Sequence, residues 1–169
     1  NATVLTIGGI GASDKVYDGT RNATIDLSNI TLTGIQAGDS VGVDTSTATG
    51  TFSSANFGSS LEVTISGLIL TGTNASNYSI VITKPKANIT KRAVTISGLT
   101  VANKVYDGST TATINPGSPT LNNAVSGDTV TVDVSAMSAV FVSPEMGTGV
   151  IVRFAGIALS GSSASNYTL

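Results

Sequence analysis

Apolar and polar residues alternate with a period of two through several short stretches of the chain. Leu61, Val63 and Ile65 fall on one face, with Glu62, Thr64 and Ser66 on the other. Val41 and Val43 alternate in the same way, as do Val130, Val132 and Val134, and Val150, Val152 and Phe154. Side chains of a strand point to opposite sides of a sheet in turn, so each stretch predicts a strand with one buried face. No stretch carries an apolar stripe at the 3.6-residue spacing of a helix.

Four places break the alternation in one manner: Ile7-Gly8-Gly9-Ile10, Ile65-Ser66-Gly67-Leu68, Ile96-Ser97-Gly98-Leu99 and Phe154-Ala155-Gly156-Ile157. A small residue and a Gly separate two apolar ones. A strand that keeps its core face across such a slip needs a bulge or a bend, and Gly tolerates the backbone required. Asp18-Gly19 and Asp107-Gly108 are turn dipeptides, and Gly38-Asp39 and Gly127-Asp128 open the strands after them.

These features come in pairs because the chain repeats itself. Lys15-Val16-Tyr17-Asp18-Gly19 returns as Lys104-Val105-Tyr106-Asp107-Gly108, 89 residues later. The same offset, without a gap, carries Phe52 onto Phe141, Gly58 onto Gly147, and Ala75-Ser76-Asn77-Tyr78 onto Ala164-Ser165-Asn166-Tyr167. This period is too long for a solenoid unit and suits a small domain. Two domains are therefore expected, over 1–86 and 87–169, each of six to eight short strands. The apolar-small-Gly-apolar pattern occurs twice per copy, as it would if two strands bend or change sheet, which is a device of sandwiches. The expected fold is all-β: two tandem immunoglobulin-like β-sandwich domains.

The segment Lys84-Pro85-Lys86-Ala87-Asn88 reads as the joint. Pro85 lacks a donor and restrains its neighbour, so the last strand of the first copy should stop near Thr83. A joint so short and without a Gly-Ser tract predicts an extended, semi-rigid pair. The second copy ends at the position equivalent to Ile80, so its last strand is expected to be cut short or very short.

Composition narrows the function. Charged residues make up 11% of the chain, against about 25% in ordinary domains, and the formal net charge is −2. No basic stripe is present to neutralise phosphates, so no nucleic-acid partner is expected. The chain has no His, Cys or Trp, which removes triad, thiol and ordinary zinc chemistry. Glu62 and Glu145 do not align between copies, so no carboxylate pair for glycoside hydrolysis recurs. No enzyme and no cofactor are expected. No apolar run approaches the roughly 18 residues of a membrane span, so no membrane insertion is expected.

The order of motifs is specific: Lys-Val-Tyr-Asp-Gly, Ala-Thr-Ile, Gly-Asp-x-Val-x-Val, Gly-Leu-x-Leu-x-Gly and Ala-Ser-Asn-Tyr. In this it resembles the YDG-type repeats, related to MBG repeats, of large bacterial surface adhesins and filamentous hemagglutinin-like proteins. The resemblance covers both copies almost end to end. It implies an extracellular protein, at the bacterial cell surface or secreted, whose repeats form a stalk that projects an adhesive region. It implies partnership with neighbouring repeats of the same chain. The alternative is a binding module that itself recognises a glycan or a host or matrix protein. Copy two departs from the pattern at Gly117-Ser118-Pro119, where copy one has Ser28-Asn29-Ile30.

Several constellations call for chemical readings. Tyr17, Asp18 and Gly19, with Tyr106, Asp107 and Gly108, read as a structural turn with a packed ring, or else as a stacking platform for a ligand. Asn77 and Tyr78, with Asn166 and Tyr167, read as a turn before the last strand. Asp18, Asp39, Asp44, Asp107, Asp128 and Asp133 are the carboxylates available for calcium; turn bonds are their simpler role. Lys15 with Asn77, and Lys104 with Asn166, could form a lysine–asparagine cross-link if an apolar pocket lowered the amine pKa. Sequons fall at Asn1, Asn22, Asn29, Asn74, Asn77, Asn88 and Asn166.

Overall fold

The structure is a computed structural model that describes residues 2–115 and 117–169; the sequon at Asn1 lies outside the described residues. It is all-β, and among the described residues the only helical pieces are single 3-10 turns at Ala75–Asn77 and Ala164–Asn166. No helix is long and apolar enough to cross a membrane. The chain divides into two compact units, Asn1–Thr90 and Lys91–Leu169.

In the first unit the strands are β1 (Thr3–Gly8), β2 (Gly11–Ala12), β3 (Lys15–Val16), β4 (Asn22–Ala23), β5 (Ile25–Asp26) and β6 (Thr31–Thr33). They continue as β7 (Gly42–Asp44), β8 (Thr49–Phe52), β9 (Gly58–Ser66), β10 (Ile69–Thr71), β11 (Tyr78–Ile82) and β12 (Lys86–Thr90). One sheet has the order β11-β1-β6, another the order β3-β12-β9-β8-β4, and the pairs β10-β7 and β2-β5 complete the unit. Alternation decides which faces are buried. Leu5 and Ile7 of β1, Phe52 of β8, Val63 of β9 and Ile89 of β12 are almost wholly enclosed. Burying each such side chain stabilises the fold by about 1.5–3 kcal/mol.

Gly9, Gly67, Gly98 and Gly156, the glycines of the four interrupted stretches, all take positive φ, between 72° and 84°. At Gly67 the strand β9 ends and the chain crosses to β10, which pairs in a different sheet. A Cβ on Gly67 would lie 2.0 Å from the Thr47 carbonyl oxygen, so no side chain fits there. At Gly156 the Ala136 carbonyl is equally close.

The segment read as a joint turns out to be a strand. β12 runs parallel to β3 and antiparallel to β9, inside the first unit. Pro85 does not stop the sheet, because its carbonyl still accepts from the Val63 amide at 2.8 Å. A register shift between Ala87 and Ile89 marks a bulge at Asn88. There the Asn88 amide and side chain both donate to the Asp14 carboxylate, at 2.7 and 2.9 Å, and the Asn88 side-chain oxygen accepts from the Ser60 amide. The Asn88 sequon is thus part of the bulge.

The second unit repeats most of this plan. Its strands are β13 (Arg92–Ala93), β14 (Thr95–Ser97), β15 (Thr120–Asn122), β16 (Thr131–Asp133), β17 (Ser138–Phe141), β18 (Val152–Ala155), β19 (Ala158–Ser160) and β20 (Tyr167–Thr168). β13 and β20 pair in parallel as β1 and β11 do, over two residue pairs instead of five. β14-β15, β16-β19 and β17-β18 stand for β1-β6, β7-β10 and β8-β9. The β2-β5 and β4-β8 pairs shrink to single bridges, Val101 to Ile114 and Thr111 to Val140. Among the described residues nothing in this unit stands for β12, whose equivalent would fall beyond Leu169.

Candidate functional site

The YDG motif folds in both copies into a turn held by one lysine. Lys15 donates from Nζ to Asp18 Oδ1 at 2.8 Å, to the Thr20 carbonyl at 2.8 Å and to Thr20 Oγ1 at 3.0 Å. Asp18 Oδ1 also accepts from the Thr20 amide and hydroxyl, at 2.8 and 2.9 Å. Gly19 closes the turn at φ 78°. The second copy matches it: Lys104 Nζ reaches Asp107 Oδ1 at 2.7 Å, the Ser109 carbonyl at 2.7 Å and Ser109 Oγ at 2.9 Å. The lysines lie over Phe52 and Phe141, 5.6 and 5.8 Å from the ring centres. The turn is a saturated network: each amine has three oxygen acceptors, as many as an ammonium can serve.

The electrostatics follow the bonds. The Lys104 amine, then the Ser109 amide and hydroxyl, hold the Asp107 carboxyl down at about 2. At Asp18 partial burial pushes the value up, but the Lys15 and Thr20 bonds outweigh it and the net shift is downward. Lys15 and Lys104, considered as cross-linking amines, spend their hydrogen bonds on oxygens of their own turn.

A second network joins each last strand to the Gly-Asp loop. Tyr78 donates its hydroxyl to Asp39 Oδ2 at 2.6 Å and accepts from the Gln36 amide at 3.0 Å. Tyr167 does the same with Asp128 Oδ2 and the Val125 amide, at 2.5 and 2.9 Å. The hydrogen bond to Asp39, with burial, raises the Tyr78 phenol; burial, then the bond to Asp128, raises that of Tyr167. Asn77 and Asn166 close the 3-10 turns before these tyrosines, and Asn166 is buried. Asn74, another sequon residue, accepts from the Ser40 amide at 3.0 Å through Oδ1.

The six carboxylates considered for calcium are dispersed. Asp44 and Asp133 cap turns by accepting the Ser46 and Ser135 amides at 2.8 and 2.9 Å. Asp39 and Asp128 face tyrosines, and Asp18 and Asp107 face lysines. Among the described residues no group of three or more metal-ligating side chains converges.

The motif's own tyrosines part company. Tyr17 is 4% exposed and Tyr106 is 62% exposed, although their neighbours in sequence are the same. In the first copy β12 covers the motif: the Tyr17 amide donates to the Thr90 carbonyl at 2.9 Å. In the second copy the corresponding space is open, a groove of about 460 Å³ beside Tyr106, Phe141 and Val152. Sequence reasoning missed Thr20, Ser109 and the Asp14–Asn88 clamp. The first two were within reach, since a hydroxyl residue follows Asp-Gly in both copies and an Asp side chain readily caps the amide two residues on.

A model of the YDG domain matches residues 1–87 and 90–169. No curated protein matches the chain, and neither does any solved structure.

Proposed function

The chain belongs to the YDG domain family, in two copies, and on that premise we propose that it is a load-bearing spacer from the stalk of a bacterial extracellular adhesin. In this reading the copies are akin to MBG repeats and stand at the cell surface or in a secreted matrix protein. Each folds as an immunoglobulin-like sandwich and holds an adhesive region away from the cell. Their partners are the neighbouring repeats, and they perform no catalysis.

The observation that carries the proposal is the pairing of the terminal strands. β1 runs parallel to β11 from Thr3–Tyr78 to Ile7–Ile82, and β12 runs parallel to β3. When the chain is pulled by its ends, paired parallel strands near the two ends slide past one another. All their hydrogen bonds are then loaded together, whereas peeling breaks them one at a time. The saturated lysine turns and the tyrosine–aspartate bonds fasten the loops between these strands. The low charge and abundant small residues suit such a spacer. The reading as a glycan platform has less support, because sugar stacking needs exposed rings and three of the four tyrosines are buried.

Single-molecule pulling of the full chain by its ends tests this. Each unit should unfold in its own force peak, and the first should release roughly 30 nm, from about 90 residues at about 3.4 Å each. Smooth extension without peaks would remove the mechanical reading.

A further inference from the structure

The open groove of the second unit has an occupied counterpart in the first. β12 fills that place, with Ala87 opposite Leu61, and Ile89 opposite both Gly58 and Lys15. Ala87 and Ile89 are buried there. The repeat carries Leu61, Gly58 and Lys15 onto Val150, Gly147 and Lys104, and all three line the groove. Exposed apolar side chains gather in the same part of the second unit: Val105, Tyr106, Met146 and Ile151 are 62–91% exposed. The groove is lined by polar as well as apolar side chains, as a channel is that accepts both the backbone and the alternate side chains of an added strand.

The first copy also indicates what enters. β12 packs within the first unit, yet it is the segment that leads directly into the second copy, which begins at Lys91. The lead-in of one copy closes the copy before it. We propose that the groove of the second unit is an acceptor for one extended β-strand, the lead-in segment of another YDG copy, with a pattern like Lys-Pro-Lys-Ala-Asn-Ile-Thr.

The small and β-branched apolar residues of that pattern alternate into the channel. Where Lys84 stands 3.7 Å from Glu62 in the first unit, the repeat places the exposed Ile151 in the second, so recognition there rests on the apolar positions of the strand rather than on its lysines. Its Asn faces Asn103, which replaces Asp14 and also lines the groove. An amide there can both accept and donate, so the second unit can take Asn or Asp at that position. The inference rests on the family membership and does not depend on the load-bearing role.

Selective tyrosine nitration gives the test, since Tyr106 is the one exposed tyrosine of four. The full chain is nitrated with tetranitromethane, with and without a peptide of residues 83–91, and Tyr106 is followed by peptide mass mapping. At peptide tenfold above its Kd, mass action leaves about one groove in ten open, so nitration of Tyr106 should slow by roughly tenfold. The same peptide carrying Ala87→Asp and Ile89→Asp should give no protection. No protection at millimolar peptide, or equal protection by the doubly substituted peptide, would overturn the proposal.

Discussion

Replacing Tyr17 by Ala and, separately, Tyr106 by Ala perturbs one motif position in two settings. Tyr17 is 4% exposed under β12, whereas Tyr106 is 62% exposed. A tyrosine presents on the order of 200 Å². The first copy therefore withdraws roughly 120 Å² more ring surface from water, which at about 25 cal/mol per Å² is roughly 3 kcal/mol. Truncating the buried Tyr17 also leaves a cavity, so Tyr17→Ala should destabilise the first unit by about 3–5 kcal/mol. By the same measure the 62% exposed Tyr106 should cost the second unit no more than about 2 kcal/mol when replaced by Ala. Urea titration followed by amide NMR resolves the two units residue by residue. The Tyr17 variant should lose first-unit cross-peaks at much lower urea while the second-unit midpoint stays fixed. Equal losses in the two variants would refute the argument that β12 makes the difference.

Three further outcomes follow from the turns and loops. Asp18 and Asp107 titrate below the ordinary 3.8 in the fold, Asp107 at about 2; the stability they contribute is present above about pH 4 and lost as pH falls toward their folded values, so urea midpoints should drop between pH 4 and 2 and Asp107→Asn should flatten that drop in the second unit. Tyr78→Phe removes the bond to Asp39 and leaves the Gln36 amide without the phenol oxygen; calorimetry should show the first unit melting roughly 5 °C lower. Gly67→Ala, with φ 77° and a carbonyl 2.0 Å from the new Cβ, should cost at least about 2 kcal/mol in urea unfolding, and Gly156→Ala should do the same to the second unit.

What the sequence made legible was local. The slip in alternation at Gly9, Gly67, Gly98 and Gly156 marked four backbone positions that do take positive φ, because Gly adopts that geometry without steric cost. The Asp-Gly turns and the strand from Tyr78 to Ile82 were legible for the same reason: their signals lie within a few residues. β12 was not legible as a strand. It contributes only Ala87 and Ile89 to the core, it follows a proline, and its partners β3 and β9 are far away in sequence. Position 17 and position 106 share a motif, so no local signal separates them. Their difference follows β12, which covers Tyr17, whereas among the described residues no strand covers Tyr106. The dispersal of the six aspartates was likewise invisible, since each finds its partner across a turn or a loop.

If the parallel end strands carry load in shear, the unfolding force must depend on the direction of pulling. The chain has no cysteine, so Ala37→Cys supplies a single handle in the loop after β6. Pulling between the N-terminus and position 37 peels the antiparallel β1-β6 pair from one end, starting at Thr6–Thr33. Pulling the chain by its two ends loads β12 against β3 and β9 and, through it, β1 against β11. The first unit should resist end-to-end force at a clearly higher peak than force applied between the N-terminus and position 37. Equal peaks, or a weaker end-to-end peak, would contradict it.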